Sequence, residues 1–306
     1  MNIPSGMLNV ETTNRCPARC TTCPREEFKS KLGIMNMNLF KKIVDDCAHY
    51  DNLVSMDLCG FGEAYSDMYL LDRLKYVREK LPNAKNYIST NAYLLEYEEW
   101  VWTTKLVDTL KFSIFGLSEK SYYAMHKLDR TRAYSNILGY LEYARKLEKK
   151  PYTIGLFIET EINKHEKEDW IKFWEPLLDE IYVWLPHNWC DYRNYRVVDK
   201  TKQTSCGRPI NGALYVHIDG TVSPCCWDIN KRLPIGNMNT QTIEEIYNSK
   251  EYKYIHDKHL NNNFEGLICS KCDQTNYNPE VLTYASNPNR KVGMLAPTLF
   301  NVKEGK

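Results

Sequence analysis

The segment MLNVETTNRCPARCTTCPRE, residues 7–26, joins a short apolar stretch to three closely spaced cysteines. Cys16, Cys20 and Cys23 are separated by three and then by two residues. Three thiols so close together are too many for one disulfide and one short of the four ligands that a structural zinc site prefers. A 4Fe–4S cluster can keep three irons on protein thiolates and leave the fourth open. The loop therefore predicts an iron–sulfur site, with a zinc site that borrows a distant ligand and a chance thiol cluster as the alternatives.

Bulk composition argues against several classes of function. The chain has 306 residues, with 40 basic and 39 acidic side chains and a net charge of +1, so it shows no broad electrostatic footprint for nucleic acid or anionic lipid. The first residues lack the basic and apolar regions of an export signal, and no apolar run reaches the roughly 18 residues of a membrane-spanning helix. We therefore expect a cytoplasmic protein with no membrane partner and no evident nucleic-acid partner.

The number of cysteines favours metal binding. Eleven is an odd count, and a reducing cytoplasm disfavours a disulfide framework. Seven of the eleven belong to two spaced sets, one near each end of the chain. Clustered cysteines in such a compartment more often bind metal than each other.

The first 200 residues alternate between strand-like and helix-like stretches. The strand-like stretches are 7–13, 53–60, 86–90, 108–116, 152–161 and 180–186, and amphipathic stretches at 38–50, 67–81, 134–150 and 165–178 lie between them. Six βα units in series predict an α/β fold with a parallel sheet, either an open doubly wound sheet or an incomplete barrel.

After about residue 200 the chain changes to shorter, turn-rich elements. Residues 216–226, VHIDGTVSPCC, predict a β-hairpin with Asp219 and Gly220 at its turn. We place a boundary near 195–205, which gives a first domain of 1–200 and a second of 201–306. The last stretch, 276–306, is rich in Asn and Pro, and we expect it to wrap the surface or to be partly disordered.

The C-x3-C-x2-C spacing directly after the first strand resembles the hallmark of the radical SAM superfamily. The resemblance implies a partial (β/α)6 TIM-like barrel, with Cys16, Cys20 and Cys23 as the protein ligands of a 4Fe–4S cluster. It also implies that S-adenosylmethionine (SAM) binds the open iron through its amino and carboxylate groups. Thr22 stands where the superfamily commonly has an aromatic residue.

Three further segments resemble SAM-contacting motifs of the same superfamily. LCGFGEAYSD (58–67) is similar to its G-G-E-P segment, STNAYLL (89–95) to its T-N-G segment, and KFSIFG (111–116) to its S-I-D-G segment. The resemblance and the arginines that follow the fourth strand imply these cofactor-binding residues: Gly60, Gly62, Glu63, Ser89, Thr90, Asn91, Ser113, Arg130 and Arg132. From the residues alone, strand-end turns, Ser and Thr caps and solvated surface arginines are the alternatives.

A second cysteine set lies in the C-terminal part. Thirteen residues separate Cys206 from Gly220, four separate Gly220 from Cys225, and Cys269 and Cys272 form a C-x2-C pair. Four cysteines in this layout suit either zinc or an iron–sulfur cluster. The layout resembles the SPASM/twitch extension of radical SAM enzymes, in the shorter twitch form, with a β-hairpin, a helix and one auxiliary 4Fe–4S cluster. That resemblance implies Cys206, Cys225, Cys269 and Cys272 as ligands, the spacing selecting Cys225 over Cys226.

The resemblance implies the chemistry as well. Reductive cleavage of SAM gives a 5'-deoxyadenosyl radical, which abstracts a hydrogen atom from the substrate, and the second electron passes to the auxiliary cluster. We therefore predict a radical SAM enzyme, a dehydrogenase that oxidises an alcohol of a small carbohydrate or aminocyclitol. The expected partners are a small-molecule or peptide substrate and a reductant such as flavodoxin or ferredoxin.

Residues 185–196, LPHNWCDYRNYR, follow the sixth strand and supply the candidates for catalysis. His187, Asp191, Arg193 and Arg196 are expected to face the cavity between the domains, and Cys190 could donate a hydrogen atom in an epimerase, as could Cys226. Each is also compatible with a surface or packing role. Two other functions remain open: a maturase that epimerises or crosslinks a ribosomal peptide, and a non-enzymatic iron–sulfur or zinc-binding module.

Overall fold

Six parallel strands form the main part of the sheet in the computed structural model, which describes residues 6–277 and 281–289. They are β1 (Met7–Val10), β2 (Ser55–Asp57), β3 (Lys85–Thr90), β4 (Thr109–Ser113), β5 (Tyr152–Ile158) and β6 (Glu180–Trp184), in this order along the sheet. Each strand pairs in parallel with the next. The predicted α/β fold with six βα units is confirmed.

Helices connect these strands. They are α1 (Met37–Cys47), α2 (Leu70–Lys80), α3 (Tyr97–Leu106), α4 (Glu119–His126), α5 (Arg130–Arg145) and α6 (Lys167–Trp174). Polar caps set their starts: the Asn36 side chain accepts hydrogen bonds at the start of α1, and Asp129 does so at the start of α5. The apolar stripe of α1 buries Phe40, Ile43 and Val44 against the sheet.

Strand alternation divides the sheet into two faces. Leu8, Met56, Ile88 and Leu110 belong to the continuous apolar core that includes the helices. The intervening residues carry polar side chains and face a cavity inside the partial barrel. An interior lined by polar groups is suited to a ligand rather than to packing.

The C-terminal part extends the same sheet at both edges. Strands β7 (Tyr215–Val216), β8 (Thr221–Ser223) and β9 (Gly236–Asn237) continue it beyond β1, and β10 (Leu282–Ala285) lies antiparallel to β6. Strands β7 and β8 form the predicted hairpin, and Gly220 at its turn has φ +85°, a conformation that favours glycine. Helices α7 (Ile243–Asn248) and α8 (Lys250–Leu260) follow. The predicted small C-terminal unit with a hairpin and a helix is confirmed.

Short 3-10 turns complete the described chain. They lie at Arg25–Glu27, Ala64–Ser66, Lys164–Glu166, Ile268–Lys271 and Asp273–Thr275. The turn Ile268–Lys271 carries the first cysteine of the C-x2-C pair.

Within the described residues no helix combines the length and the apolar character needed to cross a membrane. Residues 278–280 and 290–306 of the predicted tail lie outside the described residues.

Candidate active site

The three-cysteine loop follows β1 and rests on the C-terminal end of α4. The backbone N–H of Thr21 donates to the Met125 carbonyl at 2.8 Å, and that of Arg19 donates to the His126 carbonyl at 3.0 Å. The sulfur of Cys20 lies 3.4 Å from Nδ1 of His126. The loop is therefore held by a helix of the barrel and does not depend on its own backbone alone.

His126 is a neighbour of the loop that the sequence did not single out. Burial lowers its pKa to about 3, so the imidazole is neutral near pH 7. The Phe115 N–H donates to Nε2 at 3.0 Å, which makes Nε2 the acceptor and places the ring proton on Nδ1. That proton points at the Cys20 sulfur, as in the N–H bonds that stabilise metal-bound thiolates.

The two glycines after β2 lie in close packing, Gly62 against the backbone that leads into the cysteine loop and Gly60 against strand β7. A Cβ on Gly62 would lie 2.2 Å from the Thr13 carbonyl oxygen, and one on Gly60 would lie 2.3 Å from the Tyr215 hydroxyl. The Glu63 N–H donates to the Arg15 carbonyl at 2.8 Å. Since only glycine fits, the segment can run alongside the loop and bring Glu63 next to it.

Glu63 connects this segment with the end of β3. Its Oε1 accepts a hydrogen bond from the Thr90 hydroxyl at 2.5 Å, and its Oε2 accepts one from the Asn91 N–H at 2.8 Å. The Asn91 amide in turn lies 3.7 Å from the Cys16 sulfur. Burial raises the pKa of Glu63 to about 7. The structure thus brings Glu63, Thr90 and Asn91 together beside the loop.

The other residues predicted to bind the cofactor lie around this group at varying distances. Ser89 lines the barrel interior, and Ser113 ends β4. Arg130 donates to the Leu117 carbonyl and stacks on the Tyr134 ring at 3.8 Å. Arg132 pairs with Glu96 and lies over the Tyr93 ring. Both arginines lie at the start of α5 and are bound to other residues. Neither forms a described hydrogen bond or ion pair with the cysteine loop.

A cavity of about 240 Å³, here called the barrel cavity, lies inside the partial barrel. The strands present polar and thiol side chains to it: Asn9, Asp57, Cys59, Tyr87, Ser89 and Lys111. The C-terminal part closes it with Arg208, Pro224, Cys226 and Trp227. A site walled by both parts of the chain is suited to a polar ligand of modest size.

Asp57 is the carboxyl group of the barrel cavity. Its oxygens accept hydrogen bonds from the Ser55 hydroxyl at 2.5 Å and from the Asn9 amide at 3.2 Å. Burial raises its pKa to about 6, while these bonds and the Lys111 charge hold the rise in check. The Lys111 ammonium lies 5.5 Å from the centre of the Tyr87 ring. An acid and a cation therefore face the same enclosed space.

The second cysteine set also comes together. Cys206, Cys225, Cys269 and Cys272 line one small cavity, here called the auxiliary pocket, and Cys190 lines it as a fifth thiol. Nε2 of His259 lies 3.4 Å from the Cys269 sulfur. Cys226 instead lines the barrel cavity, and the choice of Cys225 as the ligand stays a prediction.

Family models match both parts of the chain. A model of the radical SAM superfamily matches residues 10–173, more than half of the 306. The chain belongs to the radical SAM superfamily. A second model, SPASM, an iron–sulfur cluster-binding domain, matches residues 206–273. These matches confirm the predicted family, and with it a 4Fe–4S cluster, SAM and auxiliary iron–sulfur binding as the cofactors. Since the family is one of enzymes, they also argue against a non-enzymatic module.

Several solved structures share the fold. BtrN in complex with AdoMet and 2-DOIA superposes with a TM-score of 0.66 at 18% identity, over 92% of this chain and 100% of that one. SuiB of Streptococcus suis, bound to the precursor peptide SuiA, gives 0.66 at 15% identity, over 84% and 67%. anSMEcpe with AdoMet and the Cp18Cys peptide gives 0.54 at 14%, over 81% of each.

One curated relative matches over a shorter range. It is the tungsten-containing aldehyde ferredoxin oxidoreductase cofactor-modifying protein of Pyrococcus furiosus, 32% identical over 108 residues. The match spans about a third of this chain, 35%, and 30% of the relative.

The cysteines of this radical SAM protein fit iron–sulfur clusters better than zinc. Among the described residues no three His, Cys, Asp or Glu side chains converge on one metal position. A 4Fe–4S cluster needs no such convergence, because each thiolate binds a different iron. Burial raises the pKa of Cys16 to about 12 and that of Cys23 to about 11, so these thiols become thiolates only when a cation compensates their charge.

The surroundings of Arg208 provide a separate test of whether the auxiliary pocket suits an iron–sulfur cluster. Its guanidinium is buried, stacks on the Trp227 ring at 3.9 Å and lines both cavities. No carboxylate among residues 6–277 and 281–289 forms an ion pair with it; the acidic groups near it are the thiols of Cys206, Cys225, Cys226 and Cys272. A buried cation requires negative charge nearby, and cluster-bound thiolates would provide it.

The catalytic candidates after β6 do not line the barrel cavity. His187 stacks on Trp227 at 3.9 Å, and burial lowers its pKa well below the usual value. Asp191 pairs with Lys271 at 2.9 Å, and Arg193 pairs with Glu26. Both line an open surface groove of the radical SAM protein together with Arg196, which also pairs with Asp273 at 3.1 Å.

Cys190 lies elsewhere than a hydrogen-atom donor would require. It was one of two candidate donors, with Cys226, but its thiol lines the auxiliary pocket and is absent from the described wall of the barrel cavity. The physical reason is a left-handed turn, with φ +52° at Trp189 and +55° at Cys190, which directs the thiol toward the C-x2-C pair. Cys226 and Cys59 are the thiols that face the barrel cavity.

Sequence reasoning missed Asp57, Lys111, Arg208 and His126. Asp57 and Lys111 are charged residues inside the strand-like stretches 53–60 and 108–116, and this signal was visible in the sequence. Arg208 and His126 stand in stretches with no motif, so no sequence signal marked them.

Proposed function

We propose that this radical SAM protein is an oxidoreductase that dehydrogenates an alcohol of a small polar molecule, of the carbohydrate or aminocyclitol class. The observation that carries this proposal is the wall shared by the two cavities. Arg208, Pro224 and Trp227 line both the barrel cavity and the auxiliary pocket. A substrate in the first would be separated from the second by single side chains, which suits the removal of two electrons from one molecule.

The family resemblance implies which residues would hold the cofactors, and their proximity in the structure supports that assignment. Cys16, Cys20 and Cys23 would bind the first cluster, and Gly60, Gly62, Glu63, Thr90 and Asn91 would line the SAM site beside it. When bound, these groups supply a 5'-deoxyadenosyl radical for hydrogen-atom abstraction and a nearby one-electron acceptor. The chain itself positions the substrate and excludes water from the enclosed cavity.

Asp57 is the group that would take the proton. Conversion of an alcohol to a ketone removes one hydrogen atom, one electron and one proton, so a base must face the hydroxyl group. Asp57 lines the barrel cavity, and its pKa of about 6 leaves it ionised at neutral pH. Lys111 would orient the hydroxyl oxygen by donating a hydrogen bond from its ammonium group.

The size of the site supports a small substrate. A volume of about 240 Å³ suits a single ring of the monosaccharide size. BtrN, whose solved structure holds AdoMet and 2-DOIA, is covered over its whole length by this chain. Because the two chains are only 18% identical, the similarity supports the fold of the site, and the ligand must be identified by experiment.

Deuterium transfer tests the proposal. The anaerobically reconstituted full chain would be incubated with SAM, a reductant and candidate cyclitols or sugars deuterated at each carbinol carbon. The proposal expects deuterium in 5'-deoxyadenosine and a product three mass units lighter than the deuterated substrate, since the carbon loses deuterium and the hydroxyl group loses hydrogen. A product one mass unit lighter, with hydrogen in place of deuterium at that carbon, would contradict dehydrogenation.

A second function is favoured by one observation, the thiols in the barrel cavity. Cys226 and Cys59 both face it, and a thiol that returns a hydrogen atom to a carbon radical would make the enzyme an epimerase. SuiB and anSMEcpe were solved with peptides, so a ribosomal peptide is the substrate to test. Solvent deuterium incorporated at one carbon, and lost in Cys226→Ala, would select this function over the first.

A reductant such as flavodoxin or ferredoxin and a cytoplasmic location stay predictions.

A further inference from the structure

The auxiliary pocket contains five thiols where a 4Fe–4S cluster requires four. Four belong to the matched iron–sulfur domain, residues 206–273. The fifth, Cys190, lies outside that domain, on the loop that follows β6. It is 2% exposed and packs with Cys272, Cys225 and Trp227 in one small cluster.

The position of Cys190 is specified by the fold. Its side chain packs with those of Cys225 and Cys272, and all three line the auxiliary pocket. Three consecutive residues, Trp189, Cys190 and Asp191, have positive φ values of 52°, 55° and 90°. Such a run is unfavourable for residues other than glycine and persists only where surrounding contacts enforce it.

Those contacts attach the loop directly to the C-x2-C pair. The Asn188 amide donates to the Lys271 carbonyl at 2.7 Å, and the Asn188 N–H donates to the Asp273 carboxylate at 2.9 Å. Arg232 holds the loop from the other side by donating to the Cys190 carbonyl at 2.7 Å. The residues on both sides of Cys272 therefore fix the loop that presents Cys190.

We propose that the auxiliary site is a five-thiol site, in which Cys190 is the alternative ligand to Cys225 for one iron of the auxiliary cluster. The exchange breaks one iron–sulfur bond and forms another, the proton of the Cys190 thiol passes to the Cys225 sulfur, and no electron is transferred. Cys225 is the exchanging member because it packs in the same small cluster as Cys190 and lies between Pro224 and Cys226, both in the wall of the barrel cavity. The ligand set thus adjoins the substrate, and the inference holds whichever substrate is bound.

Iron content tests the inference without reference to activity. In a full-length background with Cys16, Cys20 and Cys23 changed to Ala, the remaining iron belongs to the auxiliary site and should be about four per chain after anaerobic reconstitution. We expect Cys225→Ala and Cys190→Ala each to keep about four irons and four sulfides after mild oxidation. The double variant keeps only three thiolates, so its open iron should be lost on oxidation, which leaves about three irons per chain and the electron paramagnetic resonance signal of a 3Fe–4S cluster. Cys226→Ala, the adjacent thiol outside the pocket, is the matched control and should keep its iron.

The opposite results would overturn the inference. Loss of iron from Cys225→Ala alone would show that Cys190 cannot replace it, provided that the circular dichroism spectrum is unchanged. Loss of iron from Cys190→Ala alone would make Cys190 an obligatory ligand instead of an alternative one. Loss of iron from Cys226→Ala would show that Cys226, and not Cys225, binds the cluster. Serine variants at 190 and 225 preserve the volume and repeat the test should an alanine variant fail to fold. The electron paramagnetic resonance signal of the reduced cluster should change in shape between the two single variants, because the ligand set differs.

Discussion

The indole Nε1 of Trp189 donates a hydrogen bond of 2.7 Å to the carbonyl of Thr22, inside the first cysteine loop. The next residue, Cys190, enters the auxiliary pocket. Arg193 strengthens the same connection by donating to the Cys23 carbonyl at 3.0 Å. One short loop therefore contacts both predicted cluster sites, and its conformation links their positions.

Removing that hydrogen bond should loosen the first cysteine loop. Trp189→Phe keeps the ring against Phe61 and His187 but leaves the Thr22 carbonyl without its donor. We expect a loss of about 1 kcal/mol in the free energy of unfolding, measured by denaturant titration of the cluster-free chain. The control is Trp184→Phe, because the Trp184 Nε1 has no hydrogen-bond partner in the described part of the chain. Equal losses in both variants would mean that ring packing, and not the hydrogen bond, is responsible.

Glu63 should control SAM affinity. Replacing it with Gln leaves one oxygen to serve the Thr90 hydroxyl and the Asn91 N–H, and removes the charge that would attract the SAM ammonium group. Loss of a charged, buried hydrogen-bond acceptor costs about 1.5–3 kcal/mol, so we expect SAM binding to weaken roughly tenfold or more. Equilibrium dialysis under anaerobic conditions measures it, with the exposed Glu142→Gln as the control.

The pH dependence of SAM binding should also reflect the charge of Glu63. Because the pKa of Glu63 is about 7, the carboxylate forms as the pH rises through that value, and affinity should rise with it in the native chain. Glu63→Gln should abolish this rise. A rise that survives in the variant would assign it to another group.

Asp57 should set the acidic limb of the pH–rate profile. A base acts only when deprotonated, and its pKa is about 6, so turnover should increase as the pH rises through 6. Asp57→Asn should lower kcat by roughly 10²-fold or more and flatten that limb. Lys111→Met removes a charge that lowers the Asp57 pKa, and should therefore move the limb to higher pH.

The same carboxyl group should destabilise the folded chain at neutral pH. Its folded-state pKa is raised from 3.8 to about 6, so the folded state binds the proton more tightly, and stability falls as the pH rises across that interval. The difference corresponds to roughly 3 kcal/mol. Asp57→Asn should thus unfold at a higher temperature than the native chain at pH 8, whereas an equal or lower midpoint would argue against a buried, costly carboxylate.

Arg208 should tune the auxiliary cluster. Its positive charge lies near the thiols of Cys206 and Cys225, where it favours the additional negative charge of the reduced cluster. Arg208→Met should shift the midpoint potential to more negative values by roughly tens of millivolts. A redox titration followed by electron paramagnetic resonance measures the shift, and Arg145→Met on the surface of α5 should leave the potential unchanged.

Gly62 should tolerate no side chain. A Cβ there would lie 2.2 Å from the Thr13 carbonyl oxygen, and both partners are backbone atoms that must move together with the cysteine loop. Gly62→Ala should cost about 1–3 kcal/mol and lower the iron bound by the first site. Gly33→Ala is the matched control, because its Cβ would meet Ile218 at an ordinary 3.6 Å. Similar stabilities of the two variants would contradict the packing argument.

Local sequence determined the cysteine spacings and the strands. The spacing of Cys16, Cys20 and Cys23 needs only a short loop after β1, and the apolar runs that became β1–β6 carry their own alternation. Gly220, with its positive φ, was likewise visible as a hairpin turn. Features set by neighbouring residues can be predicted from their order along the chain.

Tertiary structure decided which distant residues share a cavity. Asp57 and Lys111 are 54 residues apart, and they face one space only because β2, β3 and β4 curve into a partial barrel. Cys190 was one of two candidate hydrogen-atom donors, yet contacts from Asn188 and Arg232 turn its loop toward Cys272. The direction of such a side chain is fixed by long-range hydrogen bonds and by a left-handed backbone, and neither leaves a pattern in the local sequence.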